Sequence, residues 1–231
     1  MILDLNCDLG EGIGADAEVI PLITSANVSC GWHAGTPEDI LNTLKLCRQH
    51  NVVVGAHPGH ADREHFGRRE LLIPSRDVLE QTFEQIQQLR VWGKLLGVEV
   101  RYVKPHGALY HQAHGDDQYA EAVICAAAMA GLPVVGMPGS RLQERAKGRV
   151  RFVAEGFADR RYLPDGRLVP RGQPGASIET PEEAVSQVLN LLTHGVIDTV
   201  CVHGDHPQAV EFARAVRTEL VRQNVELKSF V

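Results

Sequence analysis

The chain has no apolar run approaching the ~20 residues that span a bilayer, so a helical membrane protein is excluded as a reading. Met1-Ile2-Leu3-Asp4 lacks the basic region and long apolar stretch of a secretory leader, and the expected compartment is the cytoplasm. Positive charge is also scarce: 23 Lys and Arg against 29 Asp and Glu give a formal net charge of −6 and a pI near 6.0. That balance offers no electrostatic footprint for nucleic acid or an anionic membrane. The five cysteines include no Cys-x-x-Cys pair, and Cys7, Cys30 and Cys201 fall in apolar, strand-like runs. They read as small buried thiols, not as disulfides, metal ligands or nucleophiles. There is no G-x-x-x-x-G-K-[ST], no G-x-S-x-G and no H-E-x-x-H, which removes the P-loop, the serine-hydrolase elbow and the zincin helix. Gly10-Glu11-Gly12-Ile13-Gly14 lacks dinucleotide-fingerprint spacing and offers at most a phosphate contact.

What is present suits one domain over residues 1–231, since 44% hydrophobic composition supplies a full core and α/β barrels of roughly 200–250 residues are common. Short apolar runs at Ile2–Asn6, Ser25–Ser29, Val52–Ala56, Val100–Val103, Pro133–Gly136, Arg151–Ala154 and Thr199–Val202 predict strands. Helices are expected between them. Thr36-Pro37-Glu38-Asp39 and Thr180-Pro181-Glu182-Glu183 each combine a cap hydroxyl, a first-turn proline and an acid three residues after the cap. Ser75 is expected to cap a helix whose apolar stripe is Val78, Leu79, Thr82, Phe83, Ile86 and Leu89, and further helices are expected over Asp117–Ala130, Ser140–Ala146 and Pro207–Arg222. Regular β-α alternation implies parallel strands, either as an open doubly wound sheet or as a closed barrel.

The informative residues follow the strands. They are Asn6 and Asp8; His33; His57; Lys104 and His106; Glu155, Asp159 and Arg160; and His203 and Asp205. In parallel α/β architectures the carboxyl ends of the strands share one face, where active sites lie. A lone strand-end histidine is more often a hydrogen-bonded structural residue; four at one topological position, His33, His57, His106 and His203, point to a shared cleft. His50, His65, His111, His114 and His194 read as surface residues, and Trp32 and Phe66 read equally as pocket walls or as core.

Taken together these segments resemble the LamB/YcsF family. The matching stretches are Asp4-Leu5-Asn6-Cys7-Asp8-Leu9-Gly10-Glu11, Ser25-Ala26-Asn27, Cys30-Gly31-Trp32-His33-Ala34-Gly35, Gly55-Ala56-His57-Pro58-Gly59 and Phe66-Gly67-Arg68-Arg69. They continue with Val103-Lys104-Pro105-His106-Gly107-Ala108-Leu109-Tyr110, Phe157-Ala158-Asp159-Arg160, Leu168-Val169-Pro170-Arg171 and Cys201-Val202-His203-Gly204-Asp205, in order over almost the whole chain. The resemblance implies a distorted, TIM-like (β/α)7 barrel of the glycoside hydrolase/deacetylase superfamily. It implies ATP-dependent cleavage of the lactam 5-oxoproline to glutamate as the A component of a 5-oxoprolinase, with ATP and magnesium as cosubstrate and partner subunits B and C; a homo-oligomer is compatible with it.

On that reading Asp8, His57, Lys104, His106 and His203 are the expected catalytic groups, and any of the three histidines can serve as base near its ordinary pKa of ~6.5. Lys104 and Arg69 are expected to bind a carboxylate or phosphoryl oxygen, with Asn6, His33, Glu155, Asp159, Arg160 and Asp205 contributing to the substrate site. Asp8 and His57, with a further histidine, are candidate ligands for a divalent metal. The alternatives are a metal-dependent deacetylase or amidohydrolase acting without ATP, and a non-catalytic scaffold component of the complex.

Overall fold

The structure is a computed structural model that describes residues 1–195 and 197–231, with backbone alone at His194. Strands β1 (Ile2–Leu9), β2 (Ser25–Ser29), β3 (Val53–His57), β4 (Val100–Val103), β5 (Val134–Gly136), β6 (Phe152–Phe157) and β7 (Thr199–His203) pair in parallel, in order, and β1 closes the circle by pairing with both β2 and β7. The barrel alternative holds, and the open sheet does not. A short strand β8 (Glu226–Leu227), absent from the sequence reading, pairs with the start of β1. The outer layer is α1 (Asp16–Val19), α2 (Pro37–His50), α3 (Ser75–Leu96), α4 (Gly107–Gly115), α5 (Asp117–Ala130), α6 (Arg141–Ala146), α7 (Pro181–His194) and α8 (Ala209–Arg222).

Period-two alternation decides what each strand shows to each side. In β1, Leu3, Leu5, Cys7 and Leu9 pack in the main apolar core with the helices, while Asp4, Asn6 and Asp8 make their hydrogen bonds across the barrel. The barrel interior is therefore polar along much of its axis. Its amino-terminal end is closed by apolar residues, where Phe230 and Val231 from the chain end pack with Tyr102, Val135 and Val153. Gly55 is required by this filling, because a Cβ there would lie 2.2 Å from the Tyr102 ring.

The capping devices form largely as expected. Thr36 and Asp39 make the reciprocal box at the start of α2, with Pro37 in the first turn, and Thr180 accepts from the Glu183 amide. Ser75 does not cap α3: it is the first helical residue, and the preceding Pro74 supplies no side-chain bond. Helix α4 lies outside the sequence expectations. It buries Ala108, Leu109, Tyr110, Gln112 and Ala113, so no 3.6-residue apolar stripe marks it out.

Candidate functional site

Asp8, Glu11, His33, His57, Lys104, His106, Glu155, Asp159, Arg160 and His203 gather at the carboxyl end of the barrel, and all are buried apart from the half-buried His203. A cleft of about 380 Å3, counting its open mouth, is lined there by Asp8, His57, Lys104, His106, Tyr110 and His203 below, and by Arg68, His111, Arg160 and Arg171 towards solvent.

Its floor is a charge-matched network. Lys104 Nζ donates to Asp8 Oδ1 and pairs with Glu155 Oε1, both at 2.8 Å, and lies 3.0 Å from Cys201 Sγ. Asn27 Nδ2 donates to Asp8 Oδ1 and Asn6 Oδ1 at 2.7 Å, and the Tyr110 hydroxyl donates to Glu155 Oε2 at 2.9 Å. Burial opposes the charge on Lys104, but Asp8 and the other anions around it outweigh burial and push its pKa well above the usual lysine value. Burial likewise opposes the Asp8 charge, and His57 and Lys104 overcome it and hold the carboxyl well below its usual range. Lys104 is thus engaged by protein carboxylates, which differs from the expected anchor for a substrate anion. The buried cysteines are held as thiols: burial first, then neighbouring anions at Cys7 and Cys201, raises their pKa, to about 12 at Cys30.

A second knot lies beside it. His57 Nδ1 meets the Lys104 carbonyl at 2.7 Å, and His106 Nε2 meets the Phe66 carbonyl at 2.8 Å. A carbonyl only accepts, so both of these ring nitrogens carry hydrogens. The opposite nitrogens, His57 Nε2 and His106 Nδ1, face one another at 3.0 Å. In neutral rings both would present lone pairs, so a proton or a cation must lie between them. Glu11 Oε1 stands 3.2 Å from His106 Nδ1 and 3.3 Å from His33 Nε2, and His33 stacks on His106 with ring centroids 3.9 Å apart. Burial lowers His106 despite Glu11, whereas at His57 burial is outweighed by Asp8 and the pKa rises. Burial first, then the charge of His106, pushes His33 down to about 3.

One donor atom from each of Glu11, His33, His57 and His106 falls within a sphere of mutual separations under 4.8 Å, and the buried His33 Nδ1 has no hydrogen-bond partner. Three imidazoles and a carboxylate suit a divalent transition metal, and the carbonyl bonds of His57 and His106 are the outer contacts that such ligands ordinarily make. The residues fit a metal. Asp8 belongs to a second grouping, with Cys201 and His203; Lys104 pairs with its Oδ1, while its Oδ2 lies 3.4 Å from His57 Nε2, so the expected ligand candidates Asp8 and His57 are brought together and Glu11 stands beside them.

His203 is placed differently from its fellows. Its Nδ1 is 2.8 Å from Asp159 Oδ2, its ring stacks on Phe157, and its Nε2 lies 3.9 Å from Asp8 Oδ2 on the cleft side. Burial opposes ionisation of Asp159, but His203 outweighs it and holds the carboxyl near 2.

Arg69 is not brought into the cleft. It is exposed and pairs with Asp62 at 3.2 Å, while its neighbour Arg68 lines the cleft, sits over the Phe66 ring at 4.8 Å and pairs with Asp205. The choice is made by a left-handed turn, Phe66 at φ 56° and Gly67 at φ 65°, where a Gly67 Cβ would come within 2.7 Å of His33. Asn6 lies below the cleft, bonded to Thr199 and Glu155. His50, His65 and His111 are exposed as expected, His111 at the mouth of the cleft, which it helps to line; His114 is half-buried, and His194's side chain lies outside the described residues. Phe66 contacts the histidine rings of the site, with centroids 5.5 Å from His106. The Gly12–Gly14 segment lies away from the cleft beside Asp16, Glu18 and Asp39, a setting hostile to phosphate. Glu11, Tyr110, His111 and Arg171 are site residues to which the sequence alone assigned no role; Glu11, Tyr110 and Arg171 close three of the matching stretches, and that adjacency is the signal that could have found them.

The LamB/YcsF family profile matches residues 3–231. The A component of 5-oxoprolinase from Thermus thermophilus is 42% identical over 250 aligned positions, covering 100% of both chains, and that of Pyrococcus furiosus is 42% identical, covering 98% of this chain and 97% of its own. The crystal structure of a lactam utilization protein from Thermus thermophilus superposes with a TM-score of 0.93 at 39% identity, covering both chains in full. A polysaccharide deacetylase of Bacillus cereus shares the fold alone, with a TM-score of 0.58 at 13% identity over 100% of this chain and 92% of that one. By sequence and by fold, this chain belongs to the LamB/YcsF family.

Proposed function

We propose that this single-domain chain is the lactam-cleaving A component of a cytoplasmic, ATP-dependent 5-oxoprolinase that works with two partner subunits, B and C. The observation that carries this reading is the convergence of Asp8, His57, Lys104, His106 and His203 on one cleft, with Glu11 and His33 grouped against His57 and His106 beside it, in a chain whose full-length relatives bear that name. An unstrained lactam resists water because amide resonance weakens its carbonyl, a barrier that enzymes lower by something on the order of 8–23 kcal/mol. Transfer of the ATP γ-phosphoryl group to the lactam oxygen releases ADP and leaves an imidate-like ring carbon. A water oxygen then adds to that carbon, the carbon–nitrogen bond breaks with a proton passing to nitrogen, and hydrolysis of the resulting acyl phosphate gives glutamate and phosphate.

His203 is the best-placed base for the water. Asp159 fixes its tautomer and leaves Nε2 towards the cleft, whereas both ring nitrogens of His57 and of His106 are engaged. Asp8 lies across from His203 and orients the water, and Lys104 holds Asp8 in place. Glu11, His33, His57 and His106 would hold a divalent metal, which when bound supplies Lewis acidity at the lactam carbonyl or water.

The test is stepwise reconstitution. Glutamate should form from 5-oxoproline only with ATP and with subunits B and C added. Deacylation of model acetamides by this chain alone, without ATP and abolished by a chelator, would replace this reading with that of a deacetylase.

A further inference from the structure

On the cleft's upper wall stand two guanidinium groups that have no carboxylate within ion-pair distance among the described residues. Arg68 is paired with Asp205, but among the described residues no ion pair engages Arg160 or Arg171. Asp159, next to Arg160 in sequence, is turned to His203. Arg160 is only 2% exposed, and its guanidinium is pinned by the carbonyls of Val169 at 2.7 Å and Ala176 at 3.4 Å. These carbonyls fix the fork without neutralising it. Burial and then the Arg171 charge push the Arg160 pKa down to about 10, against the opposing pull of Asp159. His111, reached by solvent at the mouth but desolvated on its inner side, is pushed to about 4 by that desolvation first and then by Arg160 and Arg171.

A buried guanidinium without a carboxylate is costly unless a ligand completes it. Arg160 is rigid before any ligand arrives, which favours bidentate recognition of a planar anion. Arg171 is exposed and opens onto the same space, lined opposite by Asp8 and His203. We propose that Arg160 and Arg171 form the subsite for the carboxylate of a small cyclic-amide acid, holding its ring over Asp8 and His203. This rests on the lactam-cleaving reading above and adds its charge specificity: acids are taken and neutral lactams are passed over. A nucleotide phosphate is the competing anion, and it becomes an outcome of the test.

Calorimetric titration of the full chain alone separates these possibilities, with 5-oxoproline, its neutral amide 5-oxoprolinamide, cyclopentanecarboxylate and ATP as probes. Arg171 is exposed, so Arg171→Ala should fold; circular dichroism checks that, and Arg171→Lys provides a partial rescue. The wild-type chain should prefer 5-oxoproline to its amide. Arg171→Ala should weaken 5-oxoproline and cyclopentanecarboxylate by roughly 10–100-fold, as expected for a lost charge-assisted hydrogen bond, and erase the preference over the amide. Equal weakening of acid and amide, loss confined to ATP, or no carboxylate binding by the wild type would each overturn the subsite. Cyclopentanecarboxylate binding that needs Arg171, with no advantage for 5-oxoproline, would retain the anion subsite and remove the lactam reading.

Discussion

The floor and the roof of the cleft treat charge in opposite ways. Below, Lys104 is enclosed by Asp8, Glu155 and Asn6, and each charge has its counterpart within hydrogen-bond reach. Above, Arg160 and Arg171 face the same space with no acid among the described residues paired to either. Buried charges that are matched fix geometry, because separating them would strand an ion in a low-dielectric interior. Charges left unmatched at a mouth are available to a ligand. One strand end, β6 with its following residues, supplies both kinds: Glu155 to the floor and Arg160 to the roof.

The comparison breaks most severely at Lys104. Lys104→Met should remove the ammonium from a pocket holding two carboxylates, leaving both buried without that partner. Loss of one member of a buried ion pair costs about 3–5 kcal/mol, and chemical denaturation should report a fall of that size together with loss of activity in the reconstituted enzyme. A fall below about 1 kcal/mol would mean that the floor is not held by charge.

His203 sharpens the contrast from the catalytic side. His203→Asn should lower turnover by roughly 10²–10⁴-fold and, because the ring is the partner of the buried Asp159 carboxylate, also lower stability by about 1–3 kcal/mol. Asp159→Asn should lower it in the same direction through the misplaced tautomer. An active His203→Asn enzyme would move the base to another group.

Asp4 tests a third arrangement, a buried carboxylate matched by hydroxyls alone. Thr24, Ser25 and Thr199 donate to it, yet burial prevails and raises its pKa from 3.8 to about 6. The folded chain therefore holds this proton more tightly than the unfolded one. The stability it adds is complete below about pH 4 and is lost as pH rises through 6, a difference of roughly 3 kcal/mol. Asp4→Asn should flatten that part of the stability curve relative to the wild type; identical slopes would show that Asp4 ionises freely.

Much of this architecture is legible in the chain itself. The alternation of Leu3, Leu5, Cys7 and Leu9 with Asp4, Asn6 and Asp8 is written in β1, and the expected helix over Asp117–Ala130 is α5 to the residue. Strand-end placement alone assembles Asp8, His33, His57, Lys104, His106 and His203. What escapes depends on features without a local signature. Glu11 lies beyond β1 in a glycine-rich turn that suggests phosphate, and its bonds to His33 and His106 span other strands. The partners of Lys104 are distant in sequence, so its charge reads as free when it is the most enclosed in the site. Helix α4 hides His111 because a helix buried on nearly all sides has no polar face to set its period.

The smallest effect expected is at Arg69, and it is informative for that reason. Arg68 and Arg69 are indistinguishable by type and adjacent in sequence, yet the turn at Phe66-Gly67 sends the first to the cleft and the second outward to Asp62. The Arg69 side chain is 55% exposed, and such a pair contributes about 0–1 kcal/mol. Asp62 also keeps His65 as a partner at 2.9 Å, so removing the arginine does not strand it. Arg69→Ala should therefore change stability by no more than about 0.5 kcal/mol and leave the KM for the carboxylate substrate unaltered, while Arg171→Ala raises it. A KM increase on Arg69→Ala matching that on Arg171→Ala would extend the anion-binding surface outward past Asp62, and the division between a matched floor and an unmatched roof would no longer describe where the substrate's charge is held.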